Sequence, residues 1–157
     1  MVKINIVAVG KVKEKYFKDG IDEYAKRLSR YCTFKIIEID EENFTKVDDK
    51  LIENIKKIEG EKILKAVKGH VFCMAIEGEK LSSEKLAKKI KVLTDSGTGE
   101  ITFVIGGSYG ISDEVKSKSD GLLSFSDMTF PHTLFRLMLS EQIYRAFSIN
   151  GGSAYHK

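Results

Sequence analysis

Short runs of β-branched and apolar residues recur along this chain, and each gives way to a stretch in which apolar residues return every three or four positions. Val2 to Val9, Phe34 to Ile39, Val71 to Ile76, Ile101 to Ile105 and Leu122 to Ser126 read as strands. Between them, Phe17, Ile21, Tyr24 and Leu28 put one apolar stripe on a helix, and Leu51, Ile55, Ile58, Ile63, Leu64 and Val67 do so again across Gly60. Ser82 or Ser83 can cap a third helix with Leu86, Ile90 and Leu93 facing inward, and a short helix spans Ser112 to Ser117. Strands that alternate with helices need crossover connections, so the pattern predicts an α/β fold: a mainly parallel sheet of five to six strands with helices on both faces. Ile101 to Ile105 shows no polar alternation, which marks a strand buried on both sides.

The 157 residues suffice for one domain over 1–157, with no repeat, linker or composition break. No apolar run approaches the roughly 18–20 residues that span a bilayer, and the reading is of a cytoplasmic protein without a membrane partner. Cys32 and Cys73 are too few for a disulfide framework and lie in no Cys-x-x-Cys pair, so both read as reduced thiols. The net charge of +3 is unevenly spread: residues 1–35 carry nine basic and four acidic groups, residues 36–79 seven and eleven. Any phosphate-attracting surface therefore draws on the N-terminal set, with Lys11, Lys13, Lys15 and Lys18 as candidates, although a solvated helix face accounts for each of them singly.

In an open parallel sheet ligands sit beyond the carboxyl ends of the strands, which directs attention to the loops after Ile76, Ile105 and Ser126. Gly106, Gly107 and Gly110 follow a buried strand and precede a helix, an arrangement that lets backbone amides approach a ligand and that also serves as a plain strand-to-helix turn. Neither a Walker A pattern nor Gly-x-Gly-x-x-Gly is present. Pro131, the only proline, fixes the segment between the fifth strand and a final helix from Thr133 to about Ser148. His132 stands at that helix entrance, where the dipole favours a neutral imidazole able to act as a base; a capping or packing role fits it as well. The final helix is apolar nearly all round, which predicts burial and an excess of apolar surface suited to a homodimer seam. The tail, Asn150 to Lys157, pairs two glycines with Tyr155, His156 and Lys157, and reads either as a frayed end or as an arm that stacks on a base. His70, His132 and His156 have no ligand spacing, so no metal is expected.

Six colinear pieces, Val7-Ala8-Val9-Gly10-Lys11, Leu81-Ser82-Ser83-Glu84, Ile105-Gly106-Gly107-Ser108, Phe125 through His132, Glu141 through Ala146 and Tyr155-His156-Lys157, resemble the RlmH family. Those proteins are SPOUT-class methyltransferases that use S-adenosylmethionine to methylate N3 of a pseudouridine in helix 69 of large-subunit ribosomal RNA. The resemblance implies a homodimer with a C-terminal trefoil knot, acting on the assembled ribosome. Carried over by position, it makes Met74, Gly106, Phe125, Ser126, Asp127, Met128, Thr129 and Phe130 the cofactor contacts. It also puts His132, Tyr155 and Lys157 at the nucleoside, with Arg136, Glu141 and Arg145 in support. The chain departs from the pattern at Ala75, where the family commonly has an acidic residue, leaving Asp127, a backbone group or water to take that part. Two alternatives remain open on the residues alone: a non-catalytic ribosome-associated binding protein, and a small nucleotide-binding enzyme acting on a metabolite.

Overall fold

A computed structural model describes residues 1–156. Its sheet has five strands: β1 (Lys3–Val9), β2 (Thr33–Ile39), β3 (His70–Lys80), β4 (Glu100–Ile105) and β5 (Gly121–Ser124), in the order β2-β1-β4-β3-β5. Every pairing is parallel. The helices are α1 (Lys15–Leu28), α2 (Asp49–Ala66), α3 (Ser83–Asp95), α4 (Asp113–Lys118) and α5 (His132–Asn150).

Alternation along the central strands assigns the two faces. Ile4, Ile6 and Ala8 of β1 and Ile101, Phe103 and Ile105 of β4 pack with Leu28 of α1, Leu86 and Ile90 of α3, and Leu139 and Ile143 of α5. Val7, Val9 and Val104 point the other way, into a smaller core with Ile63 of α2 and Val115 of α4. A strand covered on both faces has no solvent side to make polar, which is why Ile101 to Ile105 of β4 reads as apolar but for Thr102, whose buried hydroxyl donates to the Lys68 carbonyl. Helix starts follow their caps: the side chains of Asp48, Ser82 and Ser112 accept the amide hydrogens of Leu51, Lys85 and Val115.

The structure moves several predicted boundaries. α2 runs through Gly60 without a break, because the missing side chain admits α4: a Cβ there would stand 2.6 Å from Ser112 Oγ. β5 ends at Ser124, since Ser124 Oγ donates to the Ser126 carbonyl and Ser126 Oγ accepts the Met128 amide, turning the chain out of the sheet. β3 continues past Ile76 to Lys80, and its register against β5 jumps: Met74 and Glu79 both lie opposite Leu123. Residues 75–78 thus loop out of the ladder at the end of the sheet. Gly78 permits this, because a Cβ would meet the Leu122 carbonyl carbon and the Leu123 nitrogen at 2.6 Å. α5 buries one stripe only, through Arg136, Leu139, Ser140, Ile143, Ala146 and Ser148; Leu134, Leu137, Met138 and Tyr144 are half-buried. No helix is long and apolar enough to cross a membrane among the described residues.

Candidate active site

The carboxyl ends of β3, β4 and β5 open onto one cavity of about 650 Å³, lined by residues 74–77 of the β3 bulge, residues 105–108 and Gly110–Ile111 after β4, and most of the segment from 123 to 132. The three loops singled out in the sequence therefore meet. The glycine turn is held tightly: the Gly110 amide donates to the Gly107 carbonyl, and Gly110 has φ +88°, a conformation natural to glycine. A Cβ on Gly106 would stand 2.8 Å from the Gly110 carbonyl carbon, and one on Gly107 2.9 Å from Val9 Cγ1. Both glycines are thus required by packing whether or not a ligand approaches.

Of the eight expected cofactor contacts, Met74, Gly106, Phe125, Ser126, Met128, Thr129 and Phe130 line the cavity. Asp127 does not; its carboxylate turns to solvent and pairs with Lys80 at 2.6 Å. The orientation follows from the turn, which points Ser126 and Met128 toward the cavity and leaves the residue between them outside. Ala75 lines the wall, and the one carboxylate among the described lining residues is Glu77, two positions further along the bulge. Glu77 is bonded to Lys116 of α4 at 2.6 Å, and this contact holds its carboxyl below the usual range. Sequence reading stopped the strand before Glu77 and so missed this ion pair. The Gly78 inside a strand pattern was the available sign.

His132 is the first residue of α5 and lines the cavity. Its ring lies against Gly10, where a Cβ would be 3.0 Å from Cε1, and Nδ1 is buried without a hydrogen-bond partner. One turn along α5, buried Arg136 donates to the Gly10 carbonyl at 3.0 Å and to Glu38 Oε2 at 2.7 Å, pinning the ends of β1 and β2 to the helix that carries His132. Neither thiol lines the cavity. Burial pushes Cys32 up to about 12 and raises Cys73 as well, which removes the thiolate that a cysteine nucleophile needs.

The tail lies elsewhere. Tyr155 packs edge-on against Tyr144 at 4.8 Å, its hydroxyl lies 3.3 Å from that of Tyr24, and the Arg145 guanidinium covers its ring. His156 sits between Arg145 and Glu84, at 3.0 and 2.8 Å. Arg145 is thirteen positions beyond His132 on α5, which at about 1.5 Å per residue is roughly 20 Å. Tyr155 and His156 therefore do not meet the cavity of their own chain. Glu141, bonded to Arg145 Nε at 2.7 Å, belongs to this second cluster, and Lys157 falls outside the described residues.

Comparison with known proteins places this geometry in a family. The profile described as "Predicted SPOUT methyltransferase" matches residues 2–156. The chain is similar to ribosomal RNA large subunit methyltransferase H of Clostridioides difficile, 53% identical over 99% of this chain and 100% of that one. The protein of the same name from Lactobacillus johnsonii is 52% identical over the same shares. Among solved structures, tRNA (m1G37) methyltransferase from Aquifex aeolicus superposes with a TM-score of 0.50 at 16% identity, covering 92% of this chain and 69% of that one. A Legionella pneumophila protein described as a methyltransferase, solved with its cofactor SAM bound, gives 0.51 at 12% identity over 95% and 66%. These distant likenesses speak to the fold, whereas the full-length identities and the matching profile speak to descent: this chain belongs to the SPOUT methyltransferases, in the group of ribosomal RNA large subunit methyltransferase H.

Proposed function

We propose that this protein methylates N3 of a pseudouridine in helix 69 of large-subunit ribosomal RNA, using S-adenosylmethionine and acting on the assembled ribosome in the cytoplasm. The observation that carries the reading is the end-to-end match to large-subunit methyltransferase H, joined to a cavity at the three strand ends that such a chemistry requires. The cavity suits the cofactor: its walls are largely apolar, backbone edges are bared at Gly106 and Gly107, and the Glu77–Lys116 pair offers one polar anchor. Met74, Gly106, Phe125, Ser126, Met128, Thr129 and Phe130 would hold it, with Asp127 outside the contact set. When bound, the cofactor supplies an electrophilic methyl group on a sulfonium.

The protein's part is alignment and removal of one proton. With Nδ1 enclosed beside Gly10, Nε2 of His132 is the nitrogen left to accept the N3 proton of the imide. Loss of that proton would leave N3 with a free lone pair, the nucleophile for the methyl group that the bound cofactor would supply. Attack from nitrogen needs no covalent activation of the ring, in keeping with two thiols held protonated by burial. Replacing His132 with Ala should leave S-adenosylmethionine affinity within about twofold in calorimetry and lower turnover on ribosomes by about 10²-fold or more, the range of a lost general base. Turnover at the wild-type level would remove His132 from the chemistry.

The same reading makes the protein a homodimer with a knotted C-terminal part. The half-buried apolar residues of α5 favour a subunit seam, and the roughly 20 Å of helix between His132 and Arg145, against which the tail packs, favours an arm, Tyr155 to Lys157, that serves a neighbour's cavity. Mass spectrometry of ribosomal RNA from cells lacking the protein tests the whole proposal: loss of a single methylpseudouridine supports it, and an unchanged modification profile defeats it.

A further inference from the structure

Behind the glycine turn lies a carboxyl group that the mechanism does not use. Glu59, in the middle of α2, is 3% exposed, and it is not among the residues lining the cavity. Its Oε2 accepts the Glu42 amide at 3.2 Å, while Oε1 is buried with no partner. That free oxygen faces the underside of the turn: a Cβ built on Gly107 would be 3.3 Å from it. The next residue, Gly60, lies against Ser112, at the far end of the same turn. Two consecutive positions of α2 thus hold both ends of the segment between β4 and α4. A second tie runs above them, where Ser108 Oγ donates to Glu41 Oε1 at 3.1 Å, and Lys62, one turn along α2, pairs with Glu42 at 3.1 Å.

Leaving a carboxyl oxygen buried and unpaired is costly, and a Met or Leu would fill a similar volume without that penalty. A polar group of this length kept there calls for a task. We propose that Glu59 is a positioning residue for the methyl-donor pocket: a buried strut that spaces the Gly106–Ser108 turn from the Glu41–Glu42 segment, and so sets cofactor affinity without touching the cofactor. The inference rests on the cofactor reading above, and wild-type binding of S-adenosylmethionine is its control.

Calorimetry and steady-state kinetics on the full chain separate the outcomes. Glu59→Ala should raise the Kd and KM for S-adenosylmethionine about tenfold, the loss expected from removing one buried hydrogen-bonding group, with kcat at saturating cofactor within about twofold. Glu59→Gln, which keeps the length and the acceptor for Glu42, should stay within about threefold of wild type. If Glu59→Ala does not fold, Glu59→Asp replaces it; one methylene shorter, it should show the same rise in KM with kcat retained. Unchanged affinity in the folded Ala or Asp variant, a fall in kcat at constant KM, or an equal loss in the Gln variant would overturn the proposal. No binding by the wild type would instead strike the cofactor reading itself.

Discussion

At the scale of single residues, the site is organised by groups whose surroundings fix their protonation. Glu59 is the clearest. Burial, with Glu41 and Glu42 adding their charges and Lys62 and the Glu42 amide opposing, raises its carboxyl above the ordinary 4.5. A folded-state pKa above the unfolded one means that the native chain holds this proton more tightly. The associated stability is complete below the unfolded value and is lost as pH rises through the folded one. Glu59→Gln cannot lose the proton, so thermal melting should find the variant and wild type nearly equal at about pH 4 and the variant the more stable at about pH 8. A difference in Tm that stays constant over this range would show that Glu59 titrates no differently in the folded chain. Glu77 illustrates the reverse shift, since Lys116 stabilises its ionised form. Neither group stood out in the sequence: a glutamate within a helical stripe of apolar residues, or after an apparent strand end, looks like any solvated charge.

Among the secondary-structure elements, the departures from regularity matter most. The four-residue excursion in β3 brings residues 75–78 over the end of β5 and makes one wall of the cavity. It exists because Gly78 lets two backbones touch, so Gly78→Ala should lower the unfolding free energy from urea titration by about 1–3 kcal/mol, and weaken S-adenosylmethionine binding, since the obstacle is main chain that cannot rotate away. Gly99→Ala is the matching control: a Cβ there has nothing within 4 Å, and the expected effect is neutral or a gain of about 0.4–1 kcal/mol. Equal losses at both positions would mean that the Gly78 contact is not what constrains the bulge. Periodicity read the straight parts of these elements well, with all five strands and all five helices found in order, because burial on one or two faces writes itself into residue spacing. It ended β3 four residues early and β5 two residues late, because a bulge and a serine-shaped turn depend on contacts between segments distant in the sequence. The outward turn of the Asp127 side chain was not legible for the same reason: which side of a turn faces the cavity is settled by Ser126 and Lys80, not by spacing.

For the molecule as a whole, the convergence of three loops followed from one rule about parallel sheets, whereas the place of the tail did not. Its glycines announced freedom but no destination, and the Tyr24, Tyr144 and Arg145 side chains that receive Tyr155 belong to helices whose adjacency is a tertiary fact. The receiving surface is far from His132 along α5, so the proposed dimer and the proposed catalytic tail stand or fall together. A mixed population tests both at once. One chain carries His132→Ala with its tail intact, and the other lacks residues 155–157 but keeps His132. Each alone should be inactive on ribosomes. When the two are unfolded and refolded together, random pairing makes half of the dimers mixed, and in each of these the tail of the first chain can serve the cavity of the second. Activity should return to about a quarter of the wild-type level, one working site in every four. If the tail instead swings back to its own cavity, every site in the mixture lacks either base or tail, and refolding the two chains together restores nothing.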